Sequence, residues 1–333
     1  MNRLATTAFS MLDLVPVHDQ GTLAQAFNNA VDLAQHLDSL EFTRYWLAEH
    51  HNIDGIASAA TAVLIGHIAG KTNKIRVGSG GIMLPNHAPL IVAENFGTLD
   101  ALYPNRIDLG IGRAPGTDQA TMRALRRGLE GAEHFPQQLQ ELQHYLAPSA
   151  NQGVIANSGT SSPVPIWLLG SSLFSAQLAG QLGLRYSFAS HFAPRLLFEA
   201  IHTYRSHFKP SASLAQPYFS LGVPLIVAPT DEEAQYLATT SQQRIQALFK
   251  GQSVRLKPPV ENMAQVWNSP QERQAVDAFL AAAIIGSPQT ARTKLETLLE
   301  ATQANELIFV CDIYDNELRK RSFTLVNELK RSA

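Results

Sequence analysis

One pattern limits the fold more than any other: a short apolar run followed by a stretch with helical spacing, repeated from end to end. The runs are "LATTAFSML" (4–12), "RYWLAEH" (44–50), "IRVGSGGIML" (75–84), "RIDLGIG" (106–112), "PIWLLG" (165–170), "RYSFAS" (185–190), "YFSLGVPLIVA" (218–228) and "ELIFVCD" (306–312). Each is followed by a stretch of helical period, such as "LAQAFNNAVDLAQHL" after the first and "DEEAQYLATTSQQRIQALF" after the seventh. Strands that alternate with helices call for parallel pairing and right-handed crossovers. Eight such units close into a (β/α)8 TIM barrel, with an open doubly wound sheet as the competing arrangement.

A barrel needs about 250 residues, so a chain of 333 carries insertions. Two segments rich in Pro, Gly, Ser and Asn fit that role. They are 148–163, between strands four and five, and 250–270, between strands seven and eight. The second is either a cover over the site or a plain surface excursion. No break in composition marks a boundary, so residues 1–333 read as a single domain.

The hydrophobic fraction of 45% and charged fraction of 16% suit a soluble globular chain with a large core. A net charge of −2 gives no electrostatic basis for binding nucleic acid or an anionic membrane. Cys311 is the one cysteine, which excludes an intrachain disulfide and reads as a small buried residue. Thr6, Thr7, Ser10 and Asp13 interrupt the N-terminal apolar run, and no later run reaches spanning length. The cytoplasm is the expected location.

In a barrel the chemistry sits at the C-terminal strand ends. Gly170 ends the fifth run, and Ser171, Ser172 and Ser175 follow at the start of a helix. Free N–H groups and hydroxyls there suit a phosphate, although a single serine often does no more than cap. Arg113, after the fourth run, is either the cation for that phosphate or half of a salt bridge. In "GSGG" (78–81), Gly80 and Gly81 either turn the chain or let a flat ligand approach the backbone. Met11, Met83 and Phe188, near strand ends, suggest an apolar pocket or else core. His50 and His51, in "AEHHN", point to opposite faces if extended, so they do not converge on one metal ion, and no H-E-x-x-H spacing is present. They are either rim histidines or one of them moves a proton in the pocket.

Taken together, "YWLAEHHN", "RVGSGGIMLPNHAPLIVAENFGTLDALYPNRIDLGIGRAPG", "WLLGSSLFSAQLAGQLGL" and "FASHF" resemble the bacterial-luciferase-like flavin-dependent monooxygenases, in the same order and over most of residues 6–230. A weaker echo runs through "IIGSPQTARTKLETLL". The resemblance is nearest to the single-polypeptide bacterial group. It implies a barrel that holds reduced FMN and uses O2 to oxygenate a small, apolar organic substrate. Its phosphate would lie against Arg113, Ser171, Ser172 and Ser175, and the Gly80–Gly81 peptide would be cis behind the ring. Met83, Gly170, Phe188 and Ser190 complete the implied cofactor site; His50 takes the acid/base role, and Met11 and His51 border the substrate. Gly112 stands where the light-emitting subunit has a reactive cysteine, which argues against luminescence but not against flavin. No G-x-G-x-x-G follows a strand, so a separate flavin reductase is the expected electron source. Relatives that transfer hydride with the deazaflavin F420, or that bind flavin without turnover, define the alternatives. Family habit and the apolar stretches 57–70 and 89–103 imply a homodimer.

Overall fold

The computed structural model describes residues 3–114, 118–128, 133–148 and 153–333. All eight runs form strands: β1 (Ala8–Asp13), β2 (Arg44–Leu47), β3 (Arg76–Met83), β4 (Ile107–Gly112), β5 (Ile166–Gly170), β6 (Arg185–Phe188), β7 (Phe219–Val227) and, last in the chain, β9 (Glu306–Val310). Every pairing is parallel, and the ladder runs from β1 through β7 to β9 and back to β1. The sheet is therefore a closed (β/α)8 barrel, and the open-sheet alternative is excluded.

A ninth strand, β8 (Ile284–Gly286), was not expected. β7 is nine residues long and outruns its partner: Ser220–Pro224 pair with β9, and Leu225–Val227 are left over. β8 fills that open edge.

Twelve helices, α1 to α12, surround the barrel among the described residues. α2 (Leu23–Ser39) begins at a Thr22–Gln25 capping box, and α9 (Asp231–Phe249) at Thr230 with three acidic residues in its first turn. α10 (Pro270–Phe279) and α11 (Pro288–Thr302) were not among the nine expected helical stretches, so the excursion after α9 continues past 270 to β8. Of the first insertion, 149–152 lie outside the described residues. No helix among the described residues is long and apolar enough to cross a membrane.

Strand alternation sorts side chains into two layers. Phe9, Met11, Tyr45, Leu109, Tyr186, Phe188 and Phe309 face the helices, and Leu12, Trp46, Trp167 and Ile308 fill the barrel interior. The N-terminal end of the interior is plugged by charge. Arg44 pairs with Asp108 at 2.5 Å and with Glu306 at 2.6 Å, and Arg76 with Asp108 at 2.7 Å. That plug leaves the C-terminal mouth for a ligand. Cys311 is fully buried, and burial pushes its thiol up to about 11, as expected of a packing residue.

Candidate active site

At the C-terminal strand ends lies a cavity of about 540 Å³, within the range of small-molecule sites. A second cavity, of about 640 Å³, opens at the other end among Arg44, Arg76, Asp108 and Arg185. Arg44 and Arg76 there are already neutralised by Asp108 and Glu306, and barrel chemistry belongs to the C-terminal face. The smaller cavity is therefore the candidate site.

One side of it is a cradle formed where a strand meets a helix start. β5 ends at Gly170, Ser172 is the N-cap of α7 (Leu173–Gln181), and its side chain makes no capping bond. The Ser175 hydroxyl donates to the Ser172 carbonyl at 2.9 Å, which fixes the turn. A Cβ on Gly170 would sit 2.2 Å from the Ser175 oxygen, so only glycine fits. Arg113 reaches the same wall with its guanidinium 4.4 Å from the Phe174 ring centre. It makes no ion pair among the described residues.

Behind the cradle the Gly80–Gly81 peptide is cis. A Cβ on Gly81 would lie 2.4 Å from Leu169 Cδ1 and 2.7 Å from the Gly110 carbonyl. The backbone there is bare toward the cavity, which suits a flat ring. Gly80, Gly81, Met83, Arg113, Gly170, Ser171, Ser172, Ser175 and His50 all line the cavity.

Four expected site residues do not. Met11 and Phe188 are fully buried and packed into the helix-facing layer. Ser190 is fully buried and donates to the Gly222 carbonyl at 2.5 Å. His51 turns away to Glu49, at 2.8 Å from Nε2 to Oε1. In the first three cases a neighbour one residue away takes the place: Leu12, Ala189 and His191 line the cavity.

The two histidines lie beyond the end of β2 and diverge, His50 to the cavity and His51 away from it, but a carboxylate does stand beside them. Glu49, 1% exposed, accepts from His51, from His87 Nε2 at 2.8 Å and from the Met83 N–H at 3.0 Å. Burial alone would raise its pKa; the hydrogen bonds of His87, His51 and Met83 outweigh that and hold it below the usual range. Glu49, His51 and His87 bring ligand atoms within 4.8 Å of one another, a convergence the sequence did not suggest. Separations of 2.8 to 3.0 Å are those of imidazole N–H groups bonded to a carboxylate. The cluster ties the turn after β2 to the loop after β3, and so fixes the backbone carrying His50 and Met83.

His191 is the main residue the sequence reading missed, although its motif "FASHF" was singled out. Part of its ring opens to the cavity, while Nδ1 is sealed against Gly222 with no hydrogen-bond partner among the described residues. A Cβ on Gly222 would lie 2.3 Å from that nitrogen. Burial, with a further contribution from nearby His50, pushes its pKa down to about 4, so the ring is neutral near pH 7.

The opposite side of the cavity is apolar: Ile245, Leu248, Val254, Phe279, Leu280 and Ile285, with Arg244 and Asp312 set among them.

The sequence profile of the luciferase-like monooxygenases matches residues 7–306. The chain belongs to that family. It is 48% identical over 327 residues to a luciferase-like monooxygenase of Escherichia coli K12, covering 98% of this chain and 97% of the relative. Among solved structures, apo-MsnO8 superposes with a TM-score of 0.90 at 35% identity, covering 98% and 99% of the two chains. The oxygenating constituent of 3,6-diketocamphane monooxygenase from Pseudomonas putida, a complex with FMN, shares the fold with a TM-score of 0.73 at 17% identity, covering 97% of each chain.

Proposed function

We propose that this luciferase-like monooxygenase binds reduced FMN and uses O2 to oxygenate a small, largely apolar organic substrate. One observation carries the reading: an arginine with no ion pair among the described residues and a serine-bearing helix start share a cavity wall with a bare, side-chain-free backbone. That donor set suits a phosphate and the surface suits a planar ring. The FMN complex of the diketocamphane enzyme, which has the same fold, supports it.

In this reading Arg113, Ser171 and Ser172 hold the phosphate, and Gly80–Gly81 backs the ring. When bound, reduced FMN supplies the electrons that activate O2. His50 holds or moves a proton at its imidazole, on a turn fixed by Glu49. Neutral His191 offers a ring nitrogen that carries no charge at pH 7, and the apolar wall keeps water from the reacting atoms. A separate flavin reductase supplies the reduced cofactor. The outer faces of α3 (Thr61–Ala69) and α4 (Pro89–Leu102) expose Val63, Ile91 and Leu102 and form the contact of a homodimer in the same reading.

The test is a fluorescence titration with FMN and riboflavin. FMN binds more tightly, and Arg113→Ala weakens FMN by about tenfold or more while sparing riboflavin, since a hydrogen bond to a charged group is worth about 1.5–3 kcal/mol. Equal affinity for both flavins overturns the phosphate assignment. Turnover of reduced cofactor without O2 consumption would replace oxygenation with hydride transfer.

A further inference from the structure

Barrel order places β9 across from β4 and β7 across from β3. The cavity wall contributed by β7, α9 and β9 therefore faces, from the far side, the Gly80–Gly81 backbone on β3 and Arg113 after β4. On that wall, in apolar surroundings, Arg244 of α9 ion-pairs through Nη1 with Asp312, just after β9. Arg244 is 7% exposed. Its guanidinium has five N–H groups, of which the hydrogen bond to Asp312 engages only the Nη1 end. Nη2 is buried and has no hydrogen-bond partner among the described residues. Ser241, one turn earlier on the same face, also lines the cavity.

Stability does not account for this pair. A buried ion pair is commonly no more stabilising than two apolar side chains of the same volume, and unmet donors add a further cost. The surrounding residues would accept apolar neighbours. A ligand oxygen that reached the guanidinium would satisfy what the protein leaves open.

We infer that Arg244 and Asp312 are the polar handle by which the pocket recognises its substrate, and that the substrate is an apolar molecule bearing one uncharged acceptor oxygen, such as a ketone, ester or amide carbonyl. Charge sets the preference for a neutral group: Asp312 already balances Arg244, so a carboxylate would meet a like charge across the same guanidinium. Position makes the oxygen a handle, because it docks across the cavity from the cofactor wall. This rests on the proposed reading of the cavity as the substrate site.

The experiment measures binding of three probes of matched shape to the full-length protein by calorimetry and ligand-observed NMR. They are 2-octanone, 2-methyloct-1-ene (a methylene in place of the carbonyl oxygen) and octanoate. In the wild type 2-octanone binds about tenfold or more tighter than either of the others. Removing one partner would strand a buried charge, so the variant is the double replacement Arg244→Met with Asp312→Leu. It keeps the binding of 2-methyloct-1-ene and loses the advantage of the ketone, to within about twofold. The inference is overturned by equal binding of all three probes to the wild type, absence of measurable binding included. It is equally overturned by a ketone advantage that survives in the double variant, or by octanoate binding best. The readout is binding, so a failure to form oxygenated product would count against the monooxygenase reading and leave this result standing.

Discussion

Replacing His191 by Gln removes a titrating group and keeps a polar side chain of similar reach. In the folded chain His191 is held down to about 4, against an ordinary value of 6.5, first by burial and then by His50. Between those two values the unfolded chain binds a proton that the folded chain refuses. Stability from this site is therefore fully present above about pH 6.5 and is lost as pH falls toward 4. One proton corresponds to a slope of at most about 1.4 kcal/mol per pH unit, or on the order of 3 kcal/mol across the window. The assay is urea unfolding of the flavin-free protein at pH 7.5, 6.5, 5.5 and 4.5, wild type beside His191→Gln. The variant starts less stable or equal at pH 7.5, and the wild type then loses stability faster as pH falls. By pH 4.5 the difference has moved by about 2–3 kcal/mol in favour of the variant. The chain has 11 histidines, and the ten others (11 − 1) are common to both proteins, so their titration largely cancels. Parallel pH profiles would refute the argument, because they would mean that His191 protonates in the folded chain as readily as in the unfolded one.

His50→Ala leaves FMN affinity nearly unchanged and lowers oxygenated product by about 10²–10⁴-fold, the usual loss for a positioned acid or base; stopped-flow absorbance with product analysis reads it, and wild-type yield would remove the catalytic role. Gly81→Ala forces a methyl toward Leu169 and the Gly110 carbonyl. It lowers stability by about 1–3 kcal/mol in urea and weakens FMN in the same preparation, whereas an unchanged midpoint would show that the close contacts relax freely.

Much of the barrel was legible because each strand is a compact apolar run bounded by turn residues, and eight such runs leave few topologies. The serine-bearing wall was legible for a related reason: Gly170, Ser171, Ser172 and Ser175 are local in sequence, and the geometry follows from a strand meeting a helix. Facing was not legible. Strands of a barrel are covered on both sides, so "FSML" and "SFAS" are apolar or small throughout and carry no period-two signal. That is why Met11 and Phe188 stood in for Leu12 and Ala189, and why His191 was passed over for Ser190. β8 was missed because its three residues owe their strand conformation to the overhang of β7 and not to their own pattern. Arg244 and Asp312 lie 68 residues apart, and only closure of the barrel brings them together.

The long excursion after α9 separates the shape of the cavity from the stability of the barrel. Val254, Phe279, Leu280 and Ile285 come from one contiguous stretch, yet they form much of the apolar wall. The stretch is tacked to the rim by the Val254 N–H on the Asp54 carbonyl and the Leu256 N–H on the Val17 carbonyl, both at 2.9 Å. None of these residues except Ile285 belongs to a barrel ladder, and Ile285 sits on the accessory strand β8. Changes confined to this segment would therefore reshape the apolar wall and leave the barrel strands as they are. The facing side, built from β3 to β5, lies outside this segment.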